Sequence, residues 1–207
     1  MKKRKISNIL ITTSGLILLS VSALCCFKLI YSHYKSDKET EQVIEELFTI
    51  DENVPTPEIV EDPPVETSKE DNFVLTDKYL GYIELSNYGI RRLITTGTDK
   101  ATLDKGLVGT LSVSAGIDDE VGNLIIAGHS TYNTFQKLHY MKIGEEIKIV
   151  SHKKIYIYKI TEKHVIEDTD MSYFRRITNK KLLTLITCRN NGKQRLIVVA
   201  ELRGVKF

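Results

Sequence analysis

Three side chains in this 207-residue sequence stand where a nucleophile, a proton carrier and an anion-holding cation are wanted: Cys188, His129 and Arg195. Cys188 ends the apolar run "LTLIT" and is followed at once by the polar "RNNGKQ", which places its thiol where a strand meets a loop. A cysteine reacts as its thiolate, so it needs a base or a cation close by. In mid-strand a free cysteine is more often a small hydrophobic filler; at a strand end both readings stay open. Of five histidines, His129 alone follows an apolar run, "NLIIAG", and it precedes the small polar pair Ser130 and Thr131. Gly128 allows a tight backbone exit, so the imidazole is expected at a rim, as the thiol is. His33 lies in the amino-terminal region, and His139, His152 and His164 sit in polar surroundings that read as exposed surface. Arg195 opens the last apolar run, and the "NNG" turn is expected to fold it back toward the end of the cysteine strand. A guanidinium is always charged and presents fixed donors, which suits holding a carbonyl or a developing oxyanion. Arg189 is nearer in sequence, but neighbours on a strand alternate faces, so it is expected to point away from Cys188.

Strands must carry these groups. "YIELSNYGIRRLITTG" reads as two short runs about a turn, and "NLIIAGH" as a buried strand. "EEIKIVSHKKIYIYKITEKHVIE" alternates apolar and polar residues on both sides of a turn, and "KKLLTLITC" and "RLIVVAELRGVKF" are apolar runs joined by "RNNGKQ". Helical pattern after residue 73 is confined to "DKATLDKG" and "TFQKLHYM". Seven or eight closely spaced strands with short helices predict an all-β fold closed into a barrel.

The amino terminus adds an anchor. After "MKKRK", residues 6–27 carry no charge, and 22 residues of helix span about 33 Å, enough for a bilayer core. A cleaved signal peptide shares the basic start but has a shorter apolar core and a small-residue cleavage site. The four basic residues ahead of the span keep that end in the cytoplasm and put the rest outside the cell. We therefore read residues 1–33 as tip and transmembrane anchor, 34–72 as linker and 73–207 as the outer domain. The linker holds all four prolines and 13 Asp plus Glu against 3 Lys, a composition that favours an extended tether. Within it Val43, Ile44, Leu47 and Phe48 share a helical face that could dock. The outer domain is basic, with 21 Lys plus Arg against 14 acids, but the charges are scattered and no aromatic-interleaved strip suggests nucleic acid. Cys25 and Cys26 fall at the end of the span, leaving Cys188 unpaired in the outer domain.

The ordered set of an amino-terminal anchor, "AGHST", "TLITC" and an arginine opening the next strand resembles the sortases, cysteine transpeptidases of Gram-positive cell surfaces. The upstream "DKGLVGTLSVSAGIDDEVGNLIIAGHS" is also similar to the segment leading to the sortase histidine. The resemblance implies an eight-stranded β-barrel in which Cys188 attacks the threonine carbonyl of an LPxTG-like sorting motif to give a thioacyl enzyme. It implies that His129 passes protons to and from the amines, that Arg195 holds substrate or oxyanion, and that Thr187, with Ser130 and Thr131, shapes the substrate site. The partners implied are surface proteins bearing a sorting signal and an amine of a peptidoglycan precursor or a pilin, at the outer face of the cell membrane.

The 59 positions from His129 to Cys188 leave no room for the long insertion of class B. Asp62-Pro63 is followed by Pro64 rather than an aromatic, unlike the class C lid, and the chain ends soon after the last strand. A class A or class D-like enzyme is expected. Calcium is a minor alternative at "IDDE" (Asp118, Asp119, Glu120) and "EDTD" (Glu167, Asp168, Asp170), which read better as solvated loops, so no cofactor is expected. A cysteine hydrolase whose acceptor is water, and an anchored binding module without catalysis, are the alternative functions.

Overall fold

The computed structural model describes residues 2–48, 78–152, 154–175 and 179–206, and the chain forms two compact units, Met1–Glu39 and Thr40–Phe207. Helix α1, Lys2–Phe48, carries the first unit and enters the second. The span expected over residues 6–27 lies within α1, but the side chains of residues 2–14 are outside the description. Among the described residues no helix is long and apolar enough to cross a membrane. The segment expected as an extended tether is helical as far as Phe48, and residues 49–77 lie outside the described residues.

The second unit is an eight-stranded closed barrel. Its strands are β1 (Gly81–Leu85), β2 (Ile90–Thr96), β3 (Val108–Thr110), β4 (Gly122–Ala127), β5 (Glu146–Val150), β6 (Ile155–Glu167), β7 (Lys181–Arg189) and β8 (Gln194–Lys206). They close in the order β1-β2-β3-β4-β7-β8-β6-β5, with β2–β3 and β4–β7 parallel and the other pairs antiparallel. Closure removes every free sheet edge, which a basic, disulfide-free domain needs to avoid edge-to-edge association. A short helix α2 (Lys100–Leu103), with Asp99 accepting from the Thr102 amide at its N-cap, lies on the crossover between the parallel strands β2 and β3.

Alternation sorts the side chains. Leu183 and Leu185 of β7, Leu124 and Ile126 of β4, and Leu196 and Val198 of β8 fill the barrel interior. Their neighbours Ile186, Ile125, Ile197 and Val199 form a second buried cluster on the outer face, because the chain between β6 and β7 lays Tyr173 and Phe174 across it. That layer is pinned by a buried polar pair: Thr184 Oγ1 donates to Asn123 Oδ1 at 2.8 Å, and Asn123 Nδ2 donates to the Tyr173 carbonyl at 3.4 Å. These three strands read as continuous apolar runs because both of their faces are covered.

The end of α1 is part of this unit. Ile44 and Phe48 are buried with Tyr79 and Leu93, and Phe48 meets Tyr82 edge-on at 5.6 Å and stacks on His152 at 4.4 Å. Arg91 pairs with Glu41 at 2.5 Å. The apolar stripe expected from Val43, Ile44, Leu47 and Phe48 thus docks on β1 and β2.

Candidate functional site

Register alone places the three expected residues. Cys188 pairs directly with Arg195 across the antiparallel β7–β8 ladder, where opposite Cβ atoms lie about 5 Å apart. On the other side, β4 runs parallel to β7 with Ala127 opposite Ile186, and the Gly128 amide continues the ladder to the Ile186 carbonyl at 3.1 Å. His129 therefore leaves β4 level with Cys188. Since Ile125, Ile186 and Ile197 face outward, the period of two puts His129, Cys188 and Arg195 on that same outer face, at one end of the apolar floor. The "NNG" turn does what its residues suggest: Asn190, Asn191 and Gly192 all have positive φ, which reverses the chain within three residues.

His129 is held from several sides. Thr134 Oγ1 and the Phe135 amide donate to its carbonyl, the latter at 3.0 Å. Gly128 is required by close approach rather than by φ: a Cβ there would meet Phe135 at 2.8 Å and Val108 at 3.0 Å. The imidazole Nε2 lies 3.0 Å from Asp104 Oδ1. Asp104 also pairs with Lys100, and these two contacts, Lys100 first, hold its carboxyl below the usual range. Arg195 Nη1 donates to the carbonyls of Gly192 at 2.6 Å and Gln194 at 3.1 Å, so its guanidinium is steered along the turn beside Cys188.

The other expected residues take different places around the thiol. Thr187 does not reach the outer face: it is 2% exposed, on the interior side of β7, and its hydroxyl donates to the Gly128 carbonyl at 2.9 Å. It shapes the site from beneath, by tying β7 to the turn that presents His129. Thr131 is spent in the following turn, bonded to Thr134 Oγ1 at 2.6 Å, whereas Ser130 lines a cavity beside Cys188. Arg189, expected to point away from the thiol, is also among the residues that line this cavity, and its charge acts on His139 there.

Two residues escaped the sequence reading. His139, expected on the surface, is half-buried in the same cavity as Cys188, with its Nε2 3.5 Å from Ser130 Oγ. Burial first, then the charges of Arg189 and Lys163, push its pKa down. Asp104 sits in the polar run "DKATLDKG", which carries no local signal. It arrives because β3 is antiparallel to β4 with Gly109 opposite Ala127, so the chain entering β3 lies beside the chain leaving β4. Of the acidic loops, Asp118 accepts from Ser151 at 2.9 Å and from Tyr156 at 2.7 Å. Among the described residues no group of three or more His, Cys, Asp or Glu is placed to hold a metal ion.

A thiol, an imidazole and a guanidinium level with one another on an apolar floor suit acyl transfer from a peptide, and comparison with known proteins agrees. The sortase domain model matches residues 83–203. The chain is 41% identical over 86 residues to YwpE of Bacillus subtilis (strain 168), covering 39% of this chain and 83% of that protein. It is 28% identical over 131 residues to Sortase A of Listeria monocytogenes, covering 61% of this chain and 57% of that protein. Among solved structures, the Sortase D5 transpeptidase of Clostridium perfringens superposes with a TM-score of 0.61 at 25% identity, over 82% of this chain and 98% of that one. With the family model spanning more than half of its length and a barrel of the same architecture, the chain belongs to the sortase family and is a cysteine transpeptidase.

Proposed function

We propose that this sortase cleaves an LPxTG-like sorting motif after its threonine and transfers the amino-terminal part, the surface protein held through its threonine carbonyl, to an amine of the cell wall or of a pilin, while anchored to the membrane by its apolar amino-terminal segment. The observation that carries the site assignment is the register of β4, β7 and β8, which brings His129 and Arg195 to either side of Cys188 on one face. The buried layer of Ile186, Ile197 and Val199 under Tyr173 and Phe174 gives that face a rigid base from which His129, Cys188 and Arg195 project at the strand ends.

In this reading the Cys188 thiolate attacks the scissile carbonyl and the leaving amine takes its proton from His129. Arg195, flanking the thiol, donates to the carbonyl oxygen as charge develops there. The acceptor amine then attacks the thioester, its surplus proton passing to His129. Asp104 fits as a positioning residue that orients the imidazole through Nε2. The extent of the match to the Sortase D5 structure supports a class D-like enzyme over a class A one.

The test is an assay of the full chain, in detergent, with a fluorogenic sorting-motif peptide and an added amine. Cleavage with amine-dependent product is expected, together with a thioacyl enzyme that hydroxylamine releases. Undiminished turnover by Cys188→Ala, or a product that remains free acid at every amine concentration, contradicts the proposal.

A further inference from the structure

We propose that the cavity beside Cys188 receives the acceptor amine and selects an acceptor that carries a carboxylate close to its nucleophilic nitrogen. The inference rests on the transpeptidase reading above and names the acceptor class it left open.

Position comes first. The apolar layer runs back along β7 from Cys188 toward Thr184 and is covered by Tyr173 and Phe174. The cavity lies on the opposite side of the thiol, where β7 has ended, and has a volume of about 320 Å³, on the scale of one or two amino-acid residues. Around Cys188 and Gly192 its wall offers polar groups from Ser130, His139, Arg189, Asn190 and Asn191. In a transpeptidase the leaving amine departs from, and the acceptor amine returns to, the side of the scissile carbonyl away from the donor. The cavity opens at the thiol beyond the end of the covered layer and has donors in its wall, which gives the acceptor a place to stand.

Charge comes second. No carboxylate lines the cavity, and among the described residues Arg189 makes no ion pair. Lys163 adds positive charge behind the wall, bonding the carbonyls of His139 at 3.2 Å and Met141 at 2.5 Å. The ring of His139 lies beside Ser130, and the Arg189 guanidinium and the asparagine amides are further donors in the same wall. A planar guanidinium beside amide donors matches a carboxylate, and an uncharged acceptor forgoes that charge-assisted pair. In the transfer step the amine nitrogen forms the new C–N bond, the C–S bond breaks with its electron pair returning to Cys188 Sγ, and the nitrogen's surplus proton passes to His129.

The test compares glycine with glycinamide as acceptors for the full chain and a labelled sorting-motif peptide. Transfer is normalised to the thioacyl enzyme seen by intact mass. Glycinamide has more free amine at neutral pH, so it wins unless the site reads the carboxylate. We expect glycine to be favoured by about tenfold, as a charge-assisted hydrogen bond allows. Arg189→Gln should lose that preference and Arg189→Lys should keep part of it. Equal or better transfer to glycinamide by the native chain, or an undiminished glycine preference in Arg189→Gln, overturns the proposal while thioacyl enzyme still forms. Absence of any thioacyl enzyme in the native chain overturns the transpeptidase reading itself, and the acceptor assignment with it.

Discussion

Replacing Thr187 by valine tests whether the site is held from inside the barrel. Valine conserves the shape of threonine but removes the hydroxyl that donates to the Gly128 carbonyl at 2.9 Å. Thr187 is 2% exposed, so water does not readily take over that bond. The net loss of a neutral hydrogen bond is about 1 kcal/mol, and stranding a buried carbonyl raises it toward about 3 kcal/mol. In a barrel of this size about 2 kcal/mol lowers the melting temperature by roughly 6–10 °C. The functional consequence follows from position, since Gly128 directly precedes His129 and a displacement of about 1 Å at the imidazole costs up to about 100-fold in rate. Thermal melts and kcat/KM with a sorting-motif peptide, measured on Thr187→Val and Thr187→Ser, check both numbers. Serine keeps the hydroxyl and should recover most of the activity. A valine variant with native melting temperature and native kcat/KM refutes the idea that this bond positions the turn.

Asp104→Asn removes the carboxylate at His129 Nε2 while keeping an oxygen there, and transfer is expected to fall several-fold, with the difference from native narrowing as salt is raised, since the pair is partly exposed. Phe48→Ala strips a ring that contacts Tyr82 and His152, and should destabilise the barrel by about 2–4 kcal/mol in a denaturant titration; a chain beginning at residue 40 should likewise melt above one beginning at residue 73. His139 is held neutral by burial and by nearby cations, so its folded pKa lies below its unfolded value of about 6.5. Its contribution to stability is full above that value and is lost as pH falls through it toward the folded pKa. Melting temperatures taken from pH 8 to pH 5 should therefore decline more steeply for the native chain than for His139→Gln.

Closed β-barrels with short helices are legible in sequence because strand alternation is a local signal, and here "LTLITC", "NLIIAG" and "RLIVVA" give both the strands and their ends. Cys188, His129 and Arg195 were legible for the same reason: each sits where an apolar run meets a polar loop, so each is delivered to a rim. The sense of the alternation was not legible in β7, because a strand covered on both faces carries apolar residues at every position. Only the covering of the outer face by Tyr173 and Phe174 shows that Ile186 and Cys188 face out and Thr187 faces in.

Sequence alone therefore determined the strands, the candidate nucleophile with its two companions, and the apolar stripe of residues 43–48. Tertiary structure decided what surrounds them. Asp104 reaches His129 because β3 pairs antiparallel with β4, and Arg189 joins Cys188 in lining one cavity. His139 shares a cavity with Cys188 across 49 residues of chain, and Phe48 finds its place only against β1 and β2. The reason is physical. Propensity and periodicity act over a few residues, while these contacts are fixed by strand order and register, which are set by closing the whole barrel.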